Sequence, residues 1–208
     1  MLDILEQVIN KVSISSRDFL DIRYAYAEGE SFTARNDRFD SVSNQTIGGI
    51  AVRALIDNAW GFTSTIKTDV ESINKTVNRA ISMARIGGKY TENQRCISDK
   101  WVFEGKGEMK LKIDPRDIDK ETKFEKISQI EKAARNFSEK IVEASSTYQE
   151  SHSKEIIVNN KGTRVENENH VIRLMKAVIG REGTQIQNVF DSIGGAISRS
   201  YHCTSYSR

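Results

Sequence analysis

The side chains of this sequence that could bind a metal or activate water are three histidines, two cysteines and a scatter of carboxylates. Metal-assisted hydrolysis asks for two histidines one helical turn apart with a glutamate beside them, because that spacing aims all three at one ion and one water. His152, His170 and His202 are far apart in sequence, and His152-Ser153-Lys154-Glu155 has neither a second histidine nor a helical setting. Each imidazole is therefore expected at the surface or at a strand edge. Glu166 and Glu168 lie in an asparagine-rich stretch and read as solvated, so they do not suggest an acid-base pair. His202-Cys203 juxtaposes a base and a thiol, but neighbours on an extended chain point to opposite sides. Gly48-Gly49, Gly87-Gly88 and Gly194-Gly195 lack the Lys-Ser/Thr context of a phosphate loop and read as turns. The expectation is a chain with no catalytic residue and no metal ligand.

Arg53, Trp60 and Phe62 are the candidates for contact with a substrate or partner. Arg53 interrupts an apolar run on the side opposite Val52 and Ala54, where a guanidinium must reach water, a carboxylate or a peptide backbone. Trp60 and Phe62 could serve either the core or an interface.

These residues must be held by elements that the apolar spacing outlines. Leu2, Leu5, Val8, Ile9 and Val12 mark a helix over 2–13. Alternation then predicts strands from Phe19 to Tyr26, 31–35, 39–44, 50–56 and 59–65, with hairpin turns at Asn36-Asp37 and Asp57-Asn58. A capping box, Thr68 to Glu71, opens a helix that ends at Gly87-Gly88. Residues 89–117 lose periodicity and hold the one proline, Pro115, which places a boundary between domains at 1–107 and 108–208. After Asp119 the spacing predicts a helix to about Ala144, then an antiparallel meander with turns at 159–162 and 180–183. The fold class is α+β, two regions each pairing antiparallel sheet with amphipathic helices.

Thirty-one Lys and Arg are interspersed with twenty-nine Asp and Glu. No basic block offers a nucleic-acid footprint, and no stretch approaches the roughly 20 apolar residues of a membrane span. The amino terminus shows no export signal, and the two remote thiols suit a reducing compartment, so a cytoplasmic protein is expected.

Thr46-Ile47-Gly48-Gly49-Ile50-Ala51-Val52-Arg53, followed by Trp60-Gly61-Phe62-Thr63-Ser64, resembles the Gly-Val-Arg strand and Gly-Phe-Ala-Ser stretch of the TldD/PmbA family, also called modulator of DNA gyrase. Ile113-Asp114-Pro115-Arg116 with Lys120-Glu121-Thr122-Lys123 is similar to the family's Val-Asp-Pro and helix start, and Asn159-Asn160-Lys161-Gly162-Thr163 to its Asn-Ser-x-Gly-Thr turn. Arg53 and Trp60-Gly61-Phe62 favour the TldD branch. The resemblance implies the amino-terminal scaffold of a zinc metallopeptidase that acts on unfolded peptides inside a dimeric chamber. In that family a carboxy-terminal half supplies the zinc through a His-Glu-x-x-x-His helix and a later cysteine. This chain stops at Arg208, about where that half is expected to begin, so zinc is expected only in the carboxy-terminal half. The partners implied are a TldD/PmbA-type chain, as homo- or heterodimer, and an extended peptide. The alternative is a free-standing peptide-binding module that performs no proteolysis.

Overall fold

The computed structural model describes residues 1–91, 97, 102–107, 111 and 113–196. His202, Cys203 and Cys96 lie outside the described residues, as does Trp101. In chain order the elements are α1 (Leu2–Asn10), β1 (Phe19–Arg35), β2 (Arg38–Ile56), β3 (Ala59–Thr65), α2 (Val70–Gly88), β4 (Glu104–Gly107), α3 (Lys120–Arg135), β5 (Ile141–Asn159), β6 (Arg164–Glu182) and β7 (Gln185–Ala196). A short 3₁₀ turn, Pro115–Asp117, precedes α3.

The α+β class holds. The seven strands among the described residues form one sheet in the order β3-β2-β1-β5-β6-β4, with β7 also on β6. Its pairings are antiparallel except that of β4 with β6. Two sheets were expected from the sequence, yet β1 pairs with β5 from Asp21↔Asn159 to Arg35↔Ser145 and so joins both halves of the chain.

Alternation divides the sheet into two faces. Leu20, Ile22, Val52, Ile156 and Val158 point to one side and are buried under Leu5 and Val8 of α1 and Ile73, Val77 and Ala80 of α2. Glu30 and Phe32 of β1 and Tyr148 and Glu150 of β5 share that parity, and α3 covers them, with Lys123 reaching both glutamates. The three α-helices among the described residues therefore pack on one face. The other face, which carries Arg53 and its neighbours, is free of helices among the described residues.

Both predicted hairpin turns form, with positive φ at Asn36, Asp37, Asp57 and Asn58. Three expectations need correction. Gly48-Gly49 and Gly194-Gly195 lie within strands rather than at turns. A Cβ at Gly49 would stand 2.7 Å from the carbonyl oxygen of Thr65, and one at Gly194 2.6 Å from that of Ile172, so close strand approach explains these two glycines. The cap of α2 is Asp69, whose carboxylate accepts from the Ser72 amide at 2.8 Å, one residue past the expected Thr68. Finally, α3 stops at Arg135, and Ile141 and Ala144 belong to β5. The apolar spacing carried across Asn136-Phe137-Ser138 by coincidence, and Phe137 is 86% exposed.

Candidate functional site

Between the part of the sheet under α1 and α2 and the part under α3, the covered face turns from apolar to charged. The change is written into three strands. β1 contributes Tyr26, Glu28 and Glu30, β5 Glu150, His152 and Lys154, and β6 Glu166, Glu168 and His170, all at alternate positions and so on one side. Register sets Glu28 opposite His152 and His152 opposite His170, which makes a cross-strand row. The 3₁₀ turn brings Arg116 over it, and a cavity of about 460 Å³ opens between this turn, α3 and the strands.

The two imidazoles were expected apart and at the surface; the structure makes them neighbours, each less than one tenth exposed. Their ring centroids are 4.4 Å apart. His152 Nε2 lies 2.5 Å from Glu168 Oε1, so the ring N–H donates to a carboxylate that the sequence suggested was solvated. His152 Nδ1 lies 3.5 Å from both Glu28 Oε1 and Arg116 Nη1. Arg116 is also held in a forked pair by Asp114, and this guanidinium keeps the Asp114 carboxyl well below the usual carboxylate range. Burial lowers the His170 pKa from its ordinary value, and the neighbouring His152 lowers it further. His170 therefore tends to the neutral form.

The sequence contained a signal for this pairing that periodicity did not reveal. His152 and His170 are equidistant from Lys161, at the centre of the Asn159–Thr163 turn, and an antiparallel hairpin must bring equidistant residues face to face. The strand carrying His152 is polar from Ser145 to Lys154, which hid it from a search for apolar alternation.

At the α3 end, Lys123 Nζ contacts Glu150 at 2.8 Å and Glu30 at 3.1 Å, and Lys120 contacts Glu30 at 2.6 Å. Burial alone would raise the Glu30 pKa, but these two ammonium groups hold it below its ordinary value. Burial would likewise lower the Lys123 pKa, and the two carboxylates more than reverse this.

Arg53, Trp60 and Phe62 come together elsewhere, on the helix-free face. Arg53 makes a forked ion pair with the buried Asp21 and lies 5.9 Å over the Trp60 ring, which meets Phe19 edge to face. Phe62 is directly opposite Arg53 on the neighbouring strand and is 57% exposed. Arg53 is thus already paired inside the chain, while the aromatic surface beside it remains open.

The family zinc motif is not among these residues: no histidine in the 208-residue sequence is followed by glutamate. The donors that do converge, two imidazoles and a carboxylate, come from two strands rather than from one helix. No helix among the described residues is long and apolar enough to cross a membrane.

Comparison with known proteins agrees with this architecture. Residues 20–84 match PmbA/TldA metallopeptidase domain 1, and residues 113–202 match the PmbA/TldA metallopeptidase central domain. A curated relative, Metalloprotease MJ0996 of Methanocaldococcus jannaschii, is 30% identical over 178 residues, which are 86% of this chain and 39% of that protein. The chain thus spans about two fifths of the length of that relative. Among solved structures, a modulator of DNA gyrase from Bacteroides thetaiotaomicron superposes with a TM-score of 0.74 at 16% identity, covering 92% of this chain and 44% of the other. TldE from Thermococcus kodakarensis superposes with a TM-score of 0.63 at 15% identity, covering 93% and 41%. These two likenesses show the shared fold. With both domain matches in family order and the curated relative spanning them, the chain belongs to the PmbA/TldD metallopeptidase family and carries its first and central domains.

Proposed function

We infer that this chain is the non-catalytic scaffold of a TldD-type zinc metallopeptidase, supplying a dimerisation surface and a wall of the chamber in which unfolded peptides are cut. The observation that carries this reading is the sheet face that bears Arg53, Trp60 and Phe62 and no helix among the described residues. A sheet in a two-layer fold that leaves one face without helices presents a broad surface for another protein layer. Here that surface holds Trp60 at 41% and Phe62 at 57% exposure beside a fixed Arg53. Aromatic residues with an arginine are the composition of interface anchors. The zinc-bound water of the family's reaction would come from the partner chain or carboxy-terminal half that bears His-Glu-x-x-x-His, and this chain's residues would position and enclose.

A second reading, a free-standing module that binds an extended peptide by strand addition, draws on β7. This strand pairs only with β6 among the described residues and is exposed, including Ile186, Val189 and Phe190.

Mixing tests both. The purified chain is incubated with a fluorogenic unfolded peptide, alone and with a TldD/PmbA-type chain carrying His-Glu-x-x-x-His. The scaffold reading expects a stable complex of the two chains, with cleavage only in the mixture. Chelator-sensitive cleavage by the chain alone would overturn it. Peptide capture without complex formation or cleavage would instead favour the strand-addition module.

A further inference from the structure

The structure assigns a divalent transition-metal site to His152, His170 and Glu168, formed across the β5-β6 hairpin and independent of whether the chain docks with a partner. One ligand atom from each of the three side chains lies within 4.8 Å of the other two. That spread is close to the one that three ligands about 2 Å from a common ion require, and small side-chain rotations close the remainder.

The geometry comes from strand pairing. His152 and His170 are directly opposed, and Glu168 is two residues from His170 on the same strand, so alternation places it on the same face. Three ligands on two hydrogen-bonded strands have backbone positions fixed by the ladder before any ion arrives. Both imidazoles are buried, which limits their rotamers and the number of waters competing for an ion.

The donor types choose the class of ion. Two imidazole nitrogens and one carboxylate oxygen suit Zn²⁺ and its first-row neighbours, whereas Mg²⁺ and Ca²⁺ prefer shells of oxygen. Three protein ligands leave a coordination position for water or a ligand. His152 and His170 both line the cavity, so such a position has room beside them.

The surroundings provide outer support as well. In the metal-free arrangement His152 Nε2 donates to Glu168, and an ion entering between them would replace that hydrogen bond. With Nε2 on the metal, Nδ1 must carry the proton, and Glu28 Oε1 stands 3.5 Å away to accept it. A carboxylate behind a ligating imidazole fixes its tautomer and raises its basicity. Two cations among the described residues lie beside the site: Arg116 is offset by Asp114, and Lys154, opposite Glu168, is paired with Glu166. Glu28 and Glu168 then leave the site with the net negative charge that a dication needs. Because the ligands come from both strands, the ion would pin β5 to β6.

The test uses the full chain, stripped with chelator, titrated with ZnCl₂ and with CoCl₂ and followed by calorimetry, visible absorption and thermal melting. One ion per chain is expected, with a Co²⁺ spectrum of nitrogen and oxygen ligation lacking a thiolate charge-transfer band, and a melting temperature that rises with metal and falls back with chelator. Glu168→Gln and His170→Gln should each weaken binding by more than about a hundredfold, and Glu28→Gln by about ten- to a hundredfold. Circular dichroism in chelator checks that each variant is folded. A chain with His202→Gln and Cys203→Ser should bind as the parent does. Absence of stoichiometric binding in the parent, binding unmoved by the Glu168 and His170 substitutions, or loss with the His202 and Cys203 changes would each overturn the assignment.

Discussion

Lys123 has its side chain almost wholly removed from water and spends its charge on two carboxylates, Glu30 and Glu150. Removing the ammonium would leave two like charges facing each other under α3. Lys123→Met should therefore lower stability by about 3 kcal/mol at neutral pH, read by urea unfolding. The pH dependence follows from the shifts. Glu30 is held below its ordinary value, so its contribution is complete above the unfolded carboxylate pKa and is lost as pH falls through the lower native value. Lys123 is held above its ordinary value, so its contribution is complete below the unfolded lysine pKa and is lost only as pH rises through the higher native value. Between these limits the parent should show a plateau. The deficit of Lys123→Met should shrink on acidification from about pH 7 to about pH 4, because protonation relieves the repulsion that the missing cation exposed. A deficit that stayed constant or grew over that range would show that the ion triad contributes differently.

Helix α2 lies against β3 with a glycine at the crossing. A Cβ at Gly61 would stand 1.9 Å from the carbonyl oxygen of Ala80 and 2.8 Å from the amide nitrogen of Ala84, both backbone atoms that cannot step aside. Gly61→Ala should force the helix away and cost about 3 kcal/mol, while Thr63→Ser, one turn of the pleat further on, should cost less than about 1 kcal/mol. Equal melting temperatures for the parent and Gly61→Ala would contradict this packing. At the same scale, legibility in the sequence depended on what each element buries. α1, α2, β1 and the two hairpin turns could be read because apolar residues recur at the helical or strand period and Asn-Asp pairs take positive φ. Only the end of β5, Glu155 to Val158, could be read as a strand; the part before it is polar on both faces, and with it were lost the continuity of the sheet and the pairing of His152 with His170. Arg53 stood out in the sequence as an arginine inside an apolar strand, and its place opposite Phe62 comes from the hairpin at Asp57-Asn58. That Arg53 is committed to Asp21 was not legible, since nothing local connects residues thirty-two apart in the chain.

For the whole molecule, layering governs what the surface can do. Helices shield one face of the sheet, and the other leaves Phe62 open next to Trp60. Phe62→Glu should leave the melting temperature of the isolated chain within about 2 °C of the parent, yet weaken association with a TldD/PmbA-type chain at least about tenfold, measured by light scattering and calorimetry. Unchanged association would place the docking surface elsewhere. The pairing of β1 with β5 has one more consequence, for synthesis. As the polypeptide leaves the ribosome, β1 can zip against β2 at once, but its second edge, from Asp21 to Arg35, has no strand to receive it until Ser145 emerges, and the ladder is complete only at Asn159. The nascent chain must therefore carry an open ladder edge from the completion of β2 until β5 emerges, the interval in which such an edge can recruit another chain.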